Sequence, residues 1–417
     1  MNRRIQAIYK LYHQNQKYIQ KTPLEFNQRL SDRLGCNLYL KREDTQRIRS
    51  FKSRGALNKI LQLSNDEKKQ GIVCASAGNH AQGVSISCNK LDISCDIFVP
   101  ENTPFQKINS IKKFLSNKED QATLHIKGEN FDECLGISMV FAHEHGKTFI
   151  HPFDDDDVIN GQSTVAVEIY EDLDNVDMIV GCIGGGGLMS GVSMYSKYKN
   201  PNCLLYGVET MGCNSMDKSI QEGKVVTLEN YDTFVDGASV RRVGEKTFEI
   251  CKNNLDKIEL VENGQLCHTI LDLYTNDGII TEPAGALSVA ALDNLDKNLI
   301  RGKNVVAIVS GGNNDVTRYP EIQELALRYK NLKHYFILEF NQKPGELKKF
   351  VNNILSPFDD ITRFEYMKKT NKSYGQVLVG VELSDAKNIY GILENLKINN
   401  FKYIHLNHDD LLMSYFV

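Results

Sequence analysis

The stretch Ser50-Phe51-Lys52-Ser53-Arg54-Gly55-Ala56 places a lysine where an extended, apolar segment gives way to a helical pattern. The first backbone N–H groups of a helix have no partner within it and carry partial positive charge. That field, together with burial, disfavours an ammonium group and lowers its pKa. A neutral amine can form a Schiff base, so Lys52 is a candidate covalent site. Most lysines at such positions are solvated, so this interpretation depends on two further motifs.

The second motif, Ser76-Ala77-Gly78-Asn79-His80, lies between the apolar run 72–75 and a helical pattern at 81–91. A turn rich in Ser, Gly and Asn exposes backbone N–H groups at the positive end of a helix, where a carboxylate or phosphate can bind. The alternative is an ordinary strand–helix loop with a capping Ser or Asn, and the motif taken alone favours that alternative.

The third motif is a run of four glycines, Gly184–Gly187, between an apolar strand pattern at 178–183 and a helical pattern at 189–197. Glycines let the backbone approach an anion closely and donate several N–H groups to it. No Lys-Ser or Lys-Thr pair follows, which excludes a P-loop, and no acidic residue stands at the distance expected for a ribose. The loop therefore predicts a site for a single phosphate. A flexible linker fits poorly between a buried strand and a helix.

Length and composition are those of an ordinary globular protein, with 417 residues of which 41% are hydrophobic and 24% charged. This length is sufficient for two or three domains. The net charge of −4 argues against a nucleic-acid partner. No apolar run reaches membrane length and the N-terminal segment is polar, unlike a signal peptide, so no membrane partner is expected.

Ten cysteines are scattered along the chain without a CxxC pair, and several lie in apolar, strand-like runs. This distribution predicts buried, reduced thiols and a cytoplasmic protein. The segment His143-Glu144-His145 lacks a third ligand at a suitable spacing, so no metal is predicted. The acidic run 154–157 is interpreted as a solvated loop.

Strand-like runs alternate with helical patterns through most of the chain, at 72–75, 95–99, 123–126, 148–151, 178–183, 204–208 and 305–309. This alternation predicts βαβ units in a mainly parallel, doubly wound α/β sheet. The tail differs, with a charged helix at 321–329, strands at 333–340, 361–368, 376–383 and 411–416, and helices at 345–355 and 386–396. Their order predicts a ferredoxin-like βαββαβ unit of the α+β class.

Taken in order, the three motifs and the later Ser310-Gly311-Gly312-Asn313 resemble the fold-type II pyridoxal-phosphate enzymes, which have a tryptophan synthase β-like fold. Four more segments resemble the biosynthetic threonine dehydratases (threonine ammonia-lyases): Lys41-Arg42-Glu43-Asp44, Thr103-Pro104, Thr233-Phe234-Val235-Asp236-Gly237-Ala238 and Glu282-Pro283-Ala284-Gly285-Ala286. The resemblance covers residues 1–320. It implies a catalytic domain of two doubly wound subdomains, the smaller, mobile one at about 52–150, with pyridoxal 5'-phosphate between them.

The resemblance implies a role for each matching residue. Lys52 would bind the cofactor covalently, Phe51 would lie against its pyridine ring, and Asn79 would hydrogen-bond its 3-hydroxyl. Ser310 would meet the ring nitrogen. The phosphate would be held by Gly184, Gly185, Gly186, Gly187 and Leu188, and the substrate carboxylate by Ser76, Gly78, Asn79 and His80, mainly through backbone N–H groups.

Ser310 in that position would favour one type of chemistry. A serine hydroxyl does not keep a proton on the ring nitrogen as a carboxylate would, so the ring is a weaker electron sink. Loss of a β-leaving group is then favoured over transamination.

A cation that some relatives bind through the acidic residue at position 209 is doubtful here, because Ser215 replaces the later acidic partner.

The tail resembles the ACT-like regulatory domain of threonine dehydratases over 340–347 and 360–366. This implies a linker at 321–332 and a regulatory domain at 333–417, with isoleucine or valine as effector. The expected effector contacts are Pro344, Gly345, Arg363, Phe364 and Tyr366. Longer family members carry two such units where this chain has one, and a dimerisation module without a ligand is the alternative.

The resemblance implies a lyase that converts L-threonine to 2-oxobutanoate and ammonia, the first step of isoleucine biosynthesis, and acts more slowly on L-serine. The alternatives are serine dehydratase, serine racemase, threonine synthase and, outside the enzymes, an amino-acid sensor that kept the fold. The regulatory tail and the segment 233–238 favour the dehydratase, and the intact Lys52 and Ser310 argue against a sensor. A homodimer or homotetramer is expected.

Overall fold

The computed structural model describes residues 2–115, 122–368 and 371–416. The chain forms two compact units, Met1–Asp315 and Val316–Val417. The helix expected at 321–329 runs from Tyr319 to Tyr329, so most of the segment expected as a linker is helical and belongs to the second unit. No helix within the described ranges is long and apolar enough to cross a membrane.

The larger sheet of the first unit has six strands. They are β1 (Leu24–Phe26), β2 (Asn37–Arg42), β7 (Met178–Cys182), β8 (Leu204–Thr210), β9 (Lys257–Val261) and β10 (Asn304–Val309). Their order is β1-β2-β10-β7-β8-β9, and every pair is parallel except β1 with β2. The central strands β7 and β10 are buried almost throughout, which is why they appear in the sequence as continuous apolar runs.

The smaller sheet contains β3 (Ile72–Ala75), β4 (Cys95–Val99), β5 (Ala122–Ile126) and β6 (Thr148–Phe149). The four strands are parallel, in the order β5-β4-β3-β6. Alternate residues of β3 enter two different apolar clusters, Ile72 and Cys74 one of them and Val73 and Ala75 the other. Both faces are therefore covered, and the predicted doubly wound α/β architecture is confirmed.

Helices connect the strands of both sheets. They are α1 (Asn2–Gln14), α2 (Gln28–Leu34), α3 (Lys52–Gln62), α4 (Asn65–Gln70), α5 (Asn79–Leu91), α6 (Phe105–Leu115), α7 (Phe131–Glu144), α8 (Asp156–Gln162), α9 (Thr164–Asp172), α10 (Gly187–Lys199), α11 (Ser215–Glu222), α12 (Glu245–Asn254), α13 (Asn263–Asp277), α14 (Pro283–Ala290) and α15 (Lys297–Ile300). The motifs follow the carboxyl ends of β2, β3, β7 and β10. In open α/β sheets ligands bind at that edge.

A buried ionic network holds α3 in place. The Arg54 guanidinium donates to Glu43, at the end of β2, at 2.8 Å and to Glu168 on α9 at 2.7 Å. Lys41 of β2 donates to the same Glu168 at 2.6 Å, and all four side chains are fully buried. Two cations balance two anions, as burial of charge requires. The network fixes the helix that begins at Lys52.

The second unit is a four-stranded antiparallel sheet with helices. Its elements are α16 (Tyr319–Tyr329), β11 (Lys333–Asn341), α17 (Glu346–Ile354), β12 (Asp360–Tyr366), β13 (Tyr374–Glu382), α18 (Asn388–Ile398), β14 (Lys402–His405) and α19 (Asp410–Phe416). The strand order β12-β13-β11-β14 is that of the predicted ferredoxin-like βαββαβ unit. Its main apolar cluster lies between the sheet and the pair α17 and α18.

The predicted last strand at 411–416 is wrong, because these residues form α19 and the last strand is β14. A short apolar run does not distinguish a strand from a helical turn by its periodicity. Leu412 and Met413 instead pack with Tyr335, Leu378 and Leu406 in a second, smaller apolar cluster.

Candidate active site

Lys52 is the first residue of α3, as the motif predicts. Its side chain is half-buried, and Nζ donates a hydrogen bond to the Pro152 carbonyl oxygen at 2.9 Å. Burial lowers the pKa of Lys52 to about 8. A larger fraction of neutral amine is therefore available near neutral pH than in a solvated lysine.

Backbone hydrogen bonds join the Lys52 loop to the segment that follows β10. The Phe51 N–H donates to the Ser310 carbonyl oxygen at 3.1 Å, and the Gly312 N–H donates to the Arg49 carbonyl oxygen at 2.8 Å. The turn before α14 joins them, since the Glu282 N–H donates to the Gly311 carbonyl oxygen at 3.1 Å. Segments far apart in the sequence thus meet at one place, with Phe51, Lys52 and Ser310 together.

The Ser310 side chain is buried beside the end of β7. Its hydroxyl donates to the Ala284 carbonyl oxygen at 3.2 Å and accepts from the Cys182 thiol at 3.2 Å. No carboxylate hydrogen-bonds this hydroxyl among the contacts of the described residues. A ring nitrogen placed here would meet a neutral donor, as the sequence analysis expects.

The glycine loop is a narrow backbone cradle. Gly186 has a φ of 91° in the left-handed region and precedes α10, whose first turn includes Leu188. The first N–H groups of α10 have no partner inside the helix. A Cβ atom on Gly185 would lie 2.3 Å from the Phe153 ring, so only glycine fits there. This combination of close packing and free helix-end donors fits a phosphate group.

Asn79 is held at both ends of its side-chain amide. Its Oδ1 accepts from Asn313 Nδ2 at 2.6 Å, and its Nδ2 donates to the Glu282 carboxyl oxygens at 2.7 and 3.0 Å. Burial raises the pKa of Glu282 to about 7, against the lowering effect of the hydrogen bond from Asn79. Asn79 is a residue expected from its motif, whereas Glu282 and Asn313 have no role expected from the sequence.

The turn before α5 offers fewer free N–H groups than expected. The Ser76 N–H already donates to the Phe98 carbonyl oxygen at 3.0 Å, and the Gly78 N–H donates to Ser76 Oγ at 3.1 Å. The first N–H groups of α5, which begins at Asn79, have no partner inside the helix. A carboxylate here would therefore bind mainly at Asn79 and His80 rather than at Ser76 and Gly78.

The His80 imidazole is buried and uncharged. Its Nε2 lies 2.9 Å from the Ile150 carbonyl oxygen, which can only accept, so Nε2 carries the proton. Burial, and after it the positive charge of Lys52, lower the pKa of His80 to about 3. No group among the described residues hydrogen-bonds Nδ1, which leaves an acceptor beside Lys52.

Glu209 is the acidic residue at which the sequence makes a cation site doubtful. Its carboxyl oxygens accept from the Met216 and Asp217 N–H groups at 2.9 and 2.8 Å, so it caps α11. Burial raises the pKa of Glu209 to about 8. Within the described ranges, no three His, Cys, Asp or Glu side chains lie close enough together to hold a metal ion.

Four expected effector residues lie toward one side of the second sheet, and Arg363 does not. The rings of Phe364 and Tyr366 lie 6.1 and 6.3 Å from that of Phe340. Phe340 and Phe364 belong to the cluster with α17 and α18. The turn Pro344-Gly345 precedes α17, with Gly345 at a φ of 95°. Side chains alternate along a strand, so Arg363 lies on the opposite face, where it donates to Glu365 at 2.7 Å.

Four residues at the site have no individual signal in the sequence. Cys182 and Phe153 flank the motif residues, and Glu282 and Asn313 hold Asn79. Glu282 lies in a segment that resembles the dehydratases and Asn313 in one that resembles the fold-type II enzymes, and these resemblances are the sequence signal that could have drawn attention to them.

The residues that meet at this site fit pyridoxal 5'-phosphate. The cradle at 184–188 suits its phosphate, Ser310 suits an unprotonated ring nitrogen, and Lys52 suits its aldehyde. These residues would hold the group, and its chemistry would be that of an electron sink.

Comparisons with known proteins match both units of the chain. The family "Pyridoxal-phosphate dependent enzyme" matches residues 16–311, and "C-terminal regulatory domain of Threonine dehydratase" matches 324–416. A biosynthetic L-threonine dehydratase IlvA of Halalkalibacterium halodurans is 47% identical over 394 residues, which are 94% of each chain. The processed form of threonine deaminase isoform 2 from Solanum lycopersicum has a TM-score of 0.70 and 38% identity, covering 78% of this chain and 91% of that one.

A serine racemase from Dictyostelium discoideum is similar over a smaller part of the chain, with a TM-score of 0.69 and 33% identity, covering 75% of this chain and 99% of that one. The dehydratase relative extends the match to almost the whole chain, the regulatory unit included. The chain therefore belongs to the biosynthetic L-threonine dehydratases within the family of pyridoxal-phosphate-dependent enzymes.

Proposed function

We propose that this protein is a lyase that converts L-threonine to 2-oxobutanoate and ammonia. The observation that carries the proposal is the meeting of a half-buried, low-pKa Lys52, the neutral donor Ser310 and the glycine cradle at the carboxyl ends of parallel strands. The 47% identity to a biosynthetic L-threonine dehydratase supports the same substrate.

In this proposal each side chain has one task. The bound cofactor supplies the electron sink for loss of the β-hydroxyl. The helix-end N–H groups of Asn79 and His80 hold the substrate carboxylate, and the neutral amine of Lys52 removes the Cα proton. The hydroxyl leaves as water by taking up one proton, which balances the proton that Lys52 removes from Cα. Hydrolysis of the released enamine consumes one water and frees ammonia.

Elimination and racemisation differ in the bases that they need. A racemase must return a proton to the opposite face of Cα, whereas elimination requires only one base. Lys52 is the group here whose lowered pKa suits that base. L-serine, which lacks the methyl group of threonine, would fill the site less completely and react more slowly to give pyruvate.

The test measures oxoacid formation from L-threonine and L-serine, together with the absorbance of the lysine-bound cofactor. We expect turnover of both, faster with threonine, and loss of both turnover and absorbance in Lys52→Ala. Lys59→Ala, on the same helix but paired with Asp155 at 2.9 Å, is the matched control and should keep both. Near-normal turnover in Lys52→Ala would contradict the proposal.

We further propose regulation by isoleucine or valine at the second unit, assembly as a homodimer or homotetramer, and a cytoplasmic location. The matched regulatory family supports regulation. The exposed Tyr366 ring, which lies against Phe340, suits contact with an aliphatic side chain, and the turn before α17 suits the effector's carboxylate. The ten cysteines, all within the described residues, are buried and none forms a disulfide, which fits a reducing compartment.

A further inference from the structure

Cys182 is the last residue of β7, and its thiol donates to the Ser310 hydroxyl at 3.2 Å. Both side chains are buried, with 6% of Cys182 and 1% of Ser310 exposed. The hydroxyl in turn donates to the Ala284 carbonyl oxygen at 3.2 Å. A hydroxyl has one proton to donate and two lone pairs that accept. The thiol therefore occupies one lone pair and leaves the single Ser310 proton for another acceptor.

An unprotonated ring nitrogen can only accept a hydrogen bond, so Ser310 must turn its proton toward it. With the cofactor bound, that proton has two competing acceptors, the ring nitrogen and the Ala284 carbonyl oxygen. A donor that occupies a Ser310 lone pair keeps that lone pair from facing the ring nitrogen, and it polarises the O–H group. We propose that Cys182 is a positioning residue, whose S–H group orients the Ser310 hydroxyl for donation to the cofactor ring.

The thiol is suited to this task because it keeps its proton. Burial raises the pKa of Cys182 to about 11, so the sulfur is a donor throughout the neutral range. Lys52 and Glu282 are the charged groups whose fields reach it. The inference rests on the proposed function, since it requires that Ser310 meet the ring nitrogen.

The test is a double-mutant cycle on the full-length protein, with the cofactor removed and then titrated back while its absorbance is followed. Cys182→Val removes the donor with little change of volume, and Cys182→Ser keeps a donor. We expect Cys182→Val to weaken cofactor affinity about five- to thirty-fold, and Cys182→Ser to stay within about three-fold of the natural chain. Adding Cys182→Val to Ser310→Ala should cause no further loss, because the thiol acts through Ser310.

Cys36→Val is the matched control, because Cys36 is also buried in the first unit and its pKa is raised by burial alone. It should leave cofactor affinity unchanged. Normal affinity in Cys182→Val beside weakened affinity in Ser310→Ala would overturn this inference and leave the Ser310 assignment in place. Equal losses from Cys182→Val in both backgrounds would show a packing effect and would also overturn it. Normal affinity in Ser310→Ala would remove the Ser310 assignment, and the inference with it.

Discussion

Glu282 holds a buried carboxyl group whose pKa burial raises to about 7. An acid with a higher pKa in the folded state binds more protons when folded, so it lowers the free energy of unfolding as pH rises from about 4.5 to about 7. Glu282→Gln removes this titration. In urea denaturation of the cofactor-free protein, the stability of Glu282→Gln relative to the natural chain should rise by about 1–3 kcal/mol across that interval.

The exposed Glu229 provides the control for this comparison. Glu229→Gln should leave the difference from the natural chain nearly independent of pH over the same interval. A difference for Glu282→Gln that stays flat, or that falls as pH rises, would show that the carboxyl group does not titrate in this way.

Gly185 gives a second prediction at the scale of one residue. A Cβ atom there would lie 2.3 Å from the Phe153 ring, so Gly185→Val should displace that ring or the loop. We expect a folded protein that lacks the absorbance of bound cofactor, because the damage is confined to the cradle. Gly136→Ala is the control, since a Cβ atom there meets nothing within 4 Å. Normal cofactor binding in Gly185→Val would place the phosphate elsewhere.

The sequence predicted the residues of the candidate site only where they lie in short contiguous motifs. Lys52, Asn79 and the glycine loop could be selected because each stands between a strand and a helix. The hydrogen bonds of the Asn79 side chain with Glu282 and Asn313 could not be predicted, because they join residues more than 200 positions apart. The ligand contacts assigned to these residues stay predictions.

At the scale of elements, the ionic network that anchors α3 predicts a large loss of stability. Arg54→Leu leaves two buried carboxylates with only Lys41, and removal of one partner of a buried pair costs about 3–5 kcal/mol. Arg242→Leu, which breaks an exposed pair with Glu245, should cost less than about 1 kcal/mol. Urea denaturation of both variants measures the contrast. Equal losses would mean that the network contributes no more than a surface pair.

The same network gives the chain an acid sensitivity of known sign. Burial disfavours the Glu168 carboxylate, but Arg54 and Lys41 overcome it and lower the pKa of Glu168. A depressed carboxyl pKa contributes stability above the unfolded value, near 4.5, that is lost as pH falls below it. The loss of stability below that pH should be smaller in Arg54→Leu than in the natural chain, as measured by denaturation at a series of pH values.

The elements that the sequence predicted correctly are those with the strongest local signals. The parallel strands β3, β4, β7 and β10 are buried, mostly apolar runs bounded by turns and rich in Val and Ile, and their short length and β-branched content, rather than their periodicity, favour a strand. The apolar run at 411–416 does not by itself distinguish a strand from a helix. Its helical form depends on packing against Tyr335 and Leu378, which only the assembled sheet provides.

At the scale of the whole molecule, the division at Asp315 predicts that catalysis and regulation can be separated. A chain that ends at Asp315 should bind cofactor and retain some turnover of threonine, because the candidate site lies within the first unit. It should lose any response to isoleucine. The measurements are cofactor absorbance, oxoacid formation with and without isoleucine, and sedimentation to detect a changed assembly. An isoleucine response that persists would place the effector in the first unit.

Isoleucine binding to the second unit is open to a direct structural test at Gly375. This glycine pairs with Phe340 across β13 and β11, and a Cβ atom there would lie 2.9 Å from the Tyr366 ring. Gly375→Val should therefore displace the Tyr366 ring, an expected effector contact, and abolish the heat of isoleucine binding in calorimetry. Gly391→Ala, where a Cβ atom meets nothing within 4 Å, should leave that heat unchanged.

Linkage supplies the second half of this test. If isoleucine weakens threonine binding by some factor, threonine must weaken isoleucine binding by the same factor. Calorimetry of the full-length protein measures the isoleucine affinity with and without a saturating, unreactive threonine analogue. The reverse titrations measure the affinity for the analogue with and without isoleucine. Unequal factors would exclude a simple two-site coupling. No heat with isoleucine or valine, together with threonine saturation curves unchanged by both, would leave the second unit a structural module, because an effector without differential affinity shifts nothing.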